Sequence, residues 1–524
     1  MQHIIFAHEE AGDLAREHHL HDDAAQHYQQ ALNISAITSG DYSRISEKLA
    51  GAFTFGRNPS AVTPLYDRAL TMYLDSPATR TKAGRILLDK ATQLWRDSQT
   101  EAALDVISQA IHIAKTEGES HFLIHANLMM VEFLQDLSRC DDAEPFLLAA
   151  GDVENTGDPL QQALYYRSKG IANAKGGNAS EAYRYFELAV QKAKETNEVR
   201  TLVGIWIAYA MEAEGLGNNQ LTKTCFERAL FVARRYHYIW RIPFLCLVYA
   251  NTLSRMGRYH SAYEYLLTAL SYDLDIPVMD ETIAEVGIPL SLHMNDKETL
   301  ARCARPQAIH LALQSGEPRR FGPVVTAFAR LYASEGRENE ARSLLHRAVN
   351  AASYVEPVWD LPIAVAQYGV PADIPKMRTF LEKKASIPSL EVARACLSLF
   401  DALVARRSRA TRESYQHAKT AMERFNALGW LGYVDLTGSL FPDAAKIPVH
   451  TMDPAPLADI HMQLTVRERQ VVELVLKGMT NREMAGTLSI TERTIEAHMT
   501  SIMRHLGLRS RHQIVERLQQ ASAE

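Results

Sequence analysis

ASEAYRYFELAV, residues 179–190, sets two alanines seven residues apart, Ala182 and Ala189. Tyr185, Phe186, Val190 and Ala193 follow around them at three- and four-residue steps. Such steps place small and apolar side chains on one stripe of a helix. The same spacing recurs in DDAAQHYQQAL (22–32), QTEAALDVISQAI (99–111), HSAYEYLLTAL (260–270) and NEARSLLHRAV (339–349). Anchored on the second alanine, the series runs Ala31, Ala69, Ala110, Ala150, Ala189, Ala229, Ala269, Ala308 and Ala348, at intervals of 38 to 41 residues. An irregular helical domain with coincidental alanines would not keep so constant an interval. Weaker copies fall at Ala385 and Ala421, where Pro371, Pro375 and Pro388 interrupt the pattern.

Glycine-bearing turns precede several of these helices, at GGN (176–178), GNN (217–219), GRY (257–259) and GRE (336–338). Each unit therefore reads as helix, turn and second helix. A small residue at a fixed place on the second helix lets the first approach closely, and stacking then buries a continuous core that no unit buries alone. The expected result is a right-handed superhelical array with a concave face. The pattern resembles tetratricopeptide repeats, with a period longer than their usual ~34 residues. It is more similar to the long helical-pair repeats in the sensor part of MalT-type transcription activators, over residues 5–435. That resemblance implies an array that receives a small-molecule or protein effector.

The chain has 524 residues, too many for one ordinary core, and a composition of 47% apolar and 23% charged residues with net charge -6. These values describe a soluble globular protein, neither disordered nor membrane-embedded. The N-terminus MQHIIFAHEEAGDLAREHH lacks the basic and apolar regions of a secretory signal, and no apolar run approaches the ~20 residues that span a bilayer. A cytoplasmic location without a membrane partner is expected. Cys140, Cys225, Cys246, Cys303 and Cys396 are scattered and never form a CxxC pair, which argues against a disulfide framework or zinc site.

After GWLGYVDL the sequence carries Pro442, Pro448, Pro454 and Pro456 and no helical stripe. Proline removes amide donors and biases its predecessor away from helix, so an extended linker is expected over 438–461, between an array at 1–437 and a C-terminal domain at 462–524. Charge changes across it. Residues 460–524 carry nine Lys or Arg against seven acids, a net of +2, whereas the remainder has a net of -8. Only the tail has the sign that suits a polyanion.

The tail reads LTVRERQVVELVLKGMTNREMAGTLSITERTIEAHMTSIMRHLGLRSRHQIVERLQQ. Thr465 with Glu468, Thr480 with Glu483, and Ser510 with Gln513 have capping-box spacing, and Thr491 precedes a further helix start. Gly478 and Gly507 are placed to end the first and third helices. Apolar spacing turns Val471, Val472, Leu474 and Val475 of the first helix inward, then Met484, Ala485 and Leu488 of the second, then Ile495, Met499, Ile502 and Leu506 of the third. Arg493, Glu496, Ala497, Thr500 and Arg504 remain on the outer face of the third. A fourth helix closes the domain.

LTxRE, Gly478, NREMA at 481–485, LSIT, TIEAH at 494–498, I-x-x-x-LG and LxSR resemble the LuxR-type (NarL/FixJ) helix-turn-helix domain over residues 462–519. The resemblance implies double-stranded DNA binding, with the third helix in the major groove and the last helix dimerising, so that a homodimer meets a two-fold site. Thr480 and Asn481 then begin the helix that crosses the backbone. Arg493, Thr494, Arg504, Arg509 and Arg511 are candidates for phosphate contact, and Glu496, Ala497 and Thr500 occupy the base-reading places. Each arginine has the alternative of a solvated surface charge, and His498 that of a partly buried histidine bonded to backbone. Glu496 stands where the family often has lysine. It either accepts from cytosine N4, as a specificity residue, or orients Arg493 through an i,i+3 pair.

Three other constellations carry less. REHHLHDDAAQH (16–27) has metal-ligand residue types without ligand spacing, and a solvated repeat turn explains it better. RRYHYIWR (234–241) interleaves cations with aromatics and suits either a ligand on the concave face or packing between units, the latter preferred. ARRSRATR (405–412) reads as a solvated charge run at a repeat boundary, with DNA or polymerase contact as the alternative. No GxxxxGK[ST] ATPase motif, receiver domain or nucleophile motif is present, so neither enzymatic activity nor a cofactor is expected. The expectation is an all-α protein: a superhelical array of ~40-residue TPR-like repeats followed by a small four-helix DNA-binding domain. It would act as a transcription regulator, with RNA polymerase a further candidate partner. The competing reading is a TPR-like interaction scaffold or adaptor with a degenerate helix-turn-helix tail.

Overall fold

The computed structural model describes residues 1–442 apart from 35–36, 56–62, 75–79, 97–98, 138, 152, 156–157, 197, 273–276, 315–317, 352–358 and 387–389. Towards the C-terminus it describes 471–472, 474–475, 479–488, 492, 494–495, 498–499 and 502. The chain divides into two compact units, Met1–Ala444 and Ala445–Glu524. Every regular element among the described residues is helical.

The first unit is a succession of antiparallel helix pairs. They are α1 and α2 (Gln2–Glu17, His21–Leu32), α3 and α4 (Ser39–Phe55, Thr63–Leu74), α5 and α6 (Arg80–Arg96, Thr100–Thr116), and α7 and α8 (Ser120–Asp136, Cys140–Ala149). Then come α9 and α10 (Pro159–Lys175, Ala179–Lys194), α11 and α12 (Val199–Gly215, Asn219–Arg235), and α13 and α14 (Arg241–Arg255, Tyr259–Leu270). In the eighth pair α15 (Pro277–Met294) is answered by two short helices, α16 (Lys297–Cys303) and α17 (Pro306–Gln314). The series ends with α18 and α19 (Pro318–Ser334, Glu338–Ala351), α20 and α21 (Asp360–Tyr368, Ile374–Ala385), α22 and α23 (Glu391–Arg407, Thr411–Ala427), and a closing α24 (Leu431–Leu440).

The alanine series marks the packing line. Ala31, Ala69, Ala110, Ala150, Ala189, Ala229, Ala269, Ala308, Ala348 and Ala421 are all buried. Ala385 is only half-buried; in α21 Met377 and Leu381 make the contact instead, because α20 is short and a 3-10 turn, Pro371–Asp373, resets the register. Close approach is enforced where glycine faces a ring. A Cβ on Gly12 would lie 2.5 Å from the Tyr28 ring, and one on Gly170 would lie 3.0 Å from Phe186.

The turns inside the pairs share one geometry. Gly177, Gly217, Gly257 and Gly336 have positive φ, and His19, Asn295 and Arg409 take the same place in other pairs. In each the following amide closes back onto the first helix, as in Asn178 N to Asn173 O at 2.9 Å, Arg258 N to Leu253 O at 2.8 Å and Leu20 N to Ala15 O at 2.9 Å. This is the Schellman closure, in which a left-handed residue, most cheaply glycine, satisfies the last carbonyls of a helix. His19 of the histidine-rich segment is thus a turn residue, and His21 is a buried residue of α2.

The array also folds back on itself. The His19 ring stands edge-on to Tyr236 with centroids 5.0 Å apart, so the first pair touches the end of the sixth. Asn219 Nδ2 donates to Leu428 O at 3.2 Å, across 209 residues, and the Tyr259 hydroxyl donates to Gly432 O at 3.3 Å. Only glycine fits at 432, where a Cβ would meet Ser254 O at 2.2 Å. That closure explains why helix α24 continues past 437, the expected end of the array, to Leu440. Thr437 is fully buried, and Arg406 donates to Leu440 O at 2.7 Å.

Candidate nucleic-acid interface

The second unit is built around a small apolar core. Val471, Val472, Leu474, Val475, Met484, Ala485, Ile495, Met499 and Ile502 are buried together, with Leu488 and Met479 packed against them. These are the inward positions expected from the spacing, apart from Met479, which precedes the second helix, and Leu506, which lies outside the described residues. Residues 492, 494–495, 498–499 and 502 are helical. Ile495, Met499 and Ile502, at steps of four and three, therefore turn one stripe of that helix inward.

The second helix, α25, runs Asn481–Leu488. Its start is a reciprocal capping box. Thr480 N and the Thr480 hydroxyl both donate to Glu483 Oε2, at 2.7 and 2.8 Å, and Glu483 N donates to Thr480 Oγ1 at 3.4 Å. The bond from the Thr480 amide, then that from its hydroxyl, holds the Glu483 carboxyl below its usual range. Thr480, expected at a phosphate-contacting helix start, donates its hydroxyl to Glu483 within this cap. Asn481 is the first residue of α25, and Thr494 is a half-buried helical residue.

Of the remaining candidates, Arg493, Glu496, Ala497, Thr500, Arg504, Arg509 and Arg511 lie outside the described residues, as do the caps expected at Thr465, Thr491 and Ser510 and the glycines Gly478 and Gly507. His498 is half-buried, beside the buried Met499.

Two basic segments of the array have structural work. Arg407 donates to the carbonyls of Val365, Ala366 and Gly369 at 3.3, 3.2 and 2.9 Å, neutralising the C-terminal end of α20. Arg406 binds Leu440 O, and Arg409 is a left-handed turn residue. The 405–412 run thereby follows the repeat-boundary reading. In RRYHYIWR, Tyr238 and Trp240 are buried against each other with centroids 5.6 Å apart. Among the described residues no group of three or more His, Cys, Asp or Glu side chains is gathered as for a metal ion, and no helix is long and apolar enough to cross a membrane. Among the described residues the cysteines form no disulfide; burial pushes the Cys246 and Cys303 thiols up to about 11.

A long array of helical pairs followed by a compact helical unit with a capped second helix and an inward stripe on the third defines a repeat protein carrying a helix-turn-helix. Residues 462–518 match the family described as bacterial regulatory proteins, luxR family, so the C-terminal unit is a LuxR-family helix-turn-helix domain. Relatives include the oxygen regulatory protein NreC of Staphylococcus aureus strains bovine RF122 / ET3-1 and MRSA252, each 38% identical over 86 residues. The match takes in 16% of this chain and spans 39% of the length of those relatives. Among solved structures the chain is similar to a Rap protein complexed with competence and sporulation factor, at 16% identity and TM-score 0.47 over 66% of this chain and 99% of that one. It is also similar to the APC/C hetero-tetramer Cut9-Hcn1, at 13% identity and TM-score 0.39 over 98% and 96%.

Proposed function

We propose that the protein is a DNA-binding transcription regulator whose helical array receives a signal, small molecule or protein, and whose C-terminal unit binds promoter DNA as a homodimer. The observation that carries this reading is the luxR-family match over 462–518, on a unit whose buried residues are those a helix-turn-helix requires. In this reading Asn481 and the capped start of α25 lie against the backbone. Arg493, Thr494, Arg504, Arg509 and Arg511 contact phosphate, and Glu496, Ala497 and Thr500 face the bases. RNA polymerase is a further partner on the promoter, the location is cytoplasmic, and the chain carries out no catalysis of its own.

The test is selection of genomic duplex fragments by the full chain at several salt concentrations, beside the Thr500→Glu variant. The expected outcome is a defined set of sites, affinity falling steeply as salt rises because bound counterions are released less profitably, and loss of those sites in the variant. Equal capture of all fragments, or none at low salt, would put the adaptor reading in its place. Retention of the same sites by Thr500→Glu would remove the third helix from the interface.

A further inference from the structure

The first helices of four pairs, α5, α7, α11 and α13, come together inside the array around a cavity of about 60 Å³. Its walls are aromatic: Trp95 and Phe133 on one side, Tyr238 and Trp240 on the other. Phe244 supports them, its ring centroid 6.5 Å from Trp95 and from Trp240. Three charged residues also line the space, Arg200, Glu132 and Arg241, the last with its guanidinium over the Trp240 and Phe244 rings, 5.2 and 4.7 Å from their centroids.

Arg200 and Glu132 are neighbours, yet among the described residues they form no ion pair with each other within 4.0 Å. Arg200 donates instead to uncharged acceptors, the Thr92 hydroxyl at 2.7 Å and the Met129 thioether at 3.5 Å. Burial opposes its charge, and the combined fields of Glu132, Tyr238, Asp89 and Glu198 more than offset that penalty, raising its pKa. Glu132, half-buried, has no hydrogen bond among the described residues. Gly204 lies beside it, where a Cβ would stand 3.8 Å from Glu132 Oε1 and reduce the room next to the carboxylate. An arginine and a glutamate held apart in a half-dry, aromatic space leave unmet what each requires: a carboxylate for one, an ammonium for the other.

We propose that this cavity binds a small zwitterion, an α-amino acid with an apolar side chain. Its carboxylate meets the Arg200 guanidinium, its ammonium meets Glu132, and its side chain lies against Trp95, Phe133 and Trp240. The size agrees. At about 10–15 Å³ per water, the cavity holds roughly four to six waters, which suits an amino acid and excludes a nucleotide or a folded segment. Thr92 is a positioning residue, holding the guanidinium at the wall. The proposal rests on the array's reading as a signal receiver only for its consequence; binding itself requires no DNA.

Trp95 and Trp240 in the wall supply the readout. The full chain is titrated with each standard L-amino acid while tryptophan emission is followed, and any that binds is compared with its N-acetyl and carboxamide derivatives. The expected result is a saturable change with at least one apolar amino acid, and affinity about tenfold or more weaker for each derivative, since each loses one charge-assisted contact. Glu132→Gln is expected to weaken the parent amino acid by a similar factor while leaving its N-acetyl derivative unchanged, a pattern that a folding defect would not give. Failure of every amino acid to produce a saturable change, or equal binding of the N-acetyl form, overturns the proposal. Duplex affinity measured with and without the amino acid separates the two readings. Binding that leaves duplex affinity unchanged keeps the site and removes its role in sensing, whereas duplex binding by a chain that takes no amino acid keeps the regulator and removes the site.

Discussion

Arg255 donates from Nε and Nη2 to the two carboxylate oxygens of Glu214, at 2.7 and 2.8 Å, tying the seventh helix pair to the sixth through an acid only 6% exposed. The Thr252 hydroxyl donates to the same carboxylate at 3.1 Å, and the guanidinium stands over the Trp430 ring, 5.8 Å from its centroid. One ion pair therefore joins two neighbouring pairs and touches the end of the array.

Removing one partner leaves the other charge buried. Arg255→Met is expected to destabilise the array by about 3–5 kcal/mol, read by chemical denaturation, with faster amide exchange at 428–434. The double variant Glu214→Met/Arg255→Leu should recover much of that loss. A single variant as stable as the parent would mean that the pair is solvated.

Gly12→Ala tests close approach in the first pair. Alanine favours a helix over glycine by about 1 kcal/mol, but its Cβ would press on a ring that cannot yield freely, because the Tyr28 hydroxyl donates to Asp13 at 2.7 Å. Overpacking of roughly 1–3 kcal/mol should win, giving faster amide exchange across α1 and α2. A more protected variant would contradict this packing.

Acid should loosen the first pair in two stages. The His21 imidazole, pushed down to about 4 chiefly by burial, binds protons more readily when unfolded, so its contribution is present above about 6.5 and lost as pH falls through 4. The Glu9 carboxyl is lowered to about 2, first by the hydrogen bond from Arg44 and also by Lys48. Its contribution, roughly 3 kcal/mol, is present above the unfolded value of about 4.5 and lost as pH falls through 2. Stability against pH for Glu9→Gln should lack the lower stage and keep the upper one.

Loss of the α25 cap should be felt in the helix-turn-helix unit. Thr480→Ala is expected to cost about 1 kcal/mol, Glu483→Ala to destabilise the same helix start, and the double variant to cost less than the sum of the two, because both remove the same reciprocal bonds. Amide exchange at 481–488 reads the effect.

Glu496→Lys should raise affinity for duplex DNA of any sequence, since a repulsive charge becomes attractive. Site selection then separates the two roles left open by the sequence. A changed base preference means that the acid reads a base; an unchanged one means that it orients Arg493.

Periodicity along the chain was sufficient for the helix pairs, the buried alanine line and the inward residues of the second unit, because a helical stripe is a property of neighbours three and four residues apart. The Thr480 and Glu483 cap was legible for the same reason. Ala385 misled, because a short α20 and a proline-bearing turn shift the register without changing local composition. Thr437 to Leu440 were not recognised as helix, since what holds them is Arg406 and the seventh pair, far away in sequence. The cavity carried little advance signal: RRYHYIWR offered Tyr238, Trp240 and Arg241, and nothing nearby named Glu132 or Gly204. Arg200 reaches Thr92 across 108 residues, a contact that depends on the summed rotation of successive pairs. The sequence by itself thus determined which helices form, how they pair and which residues they bury, because those follow from local spacing. Only the tertiary structure decided where the array closes on itself and which charges face one another inside it, because each pair's small rotation accumulates into contacts that no single stretch of sequence contains.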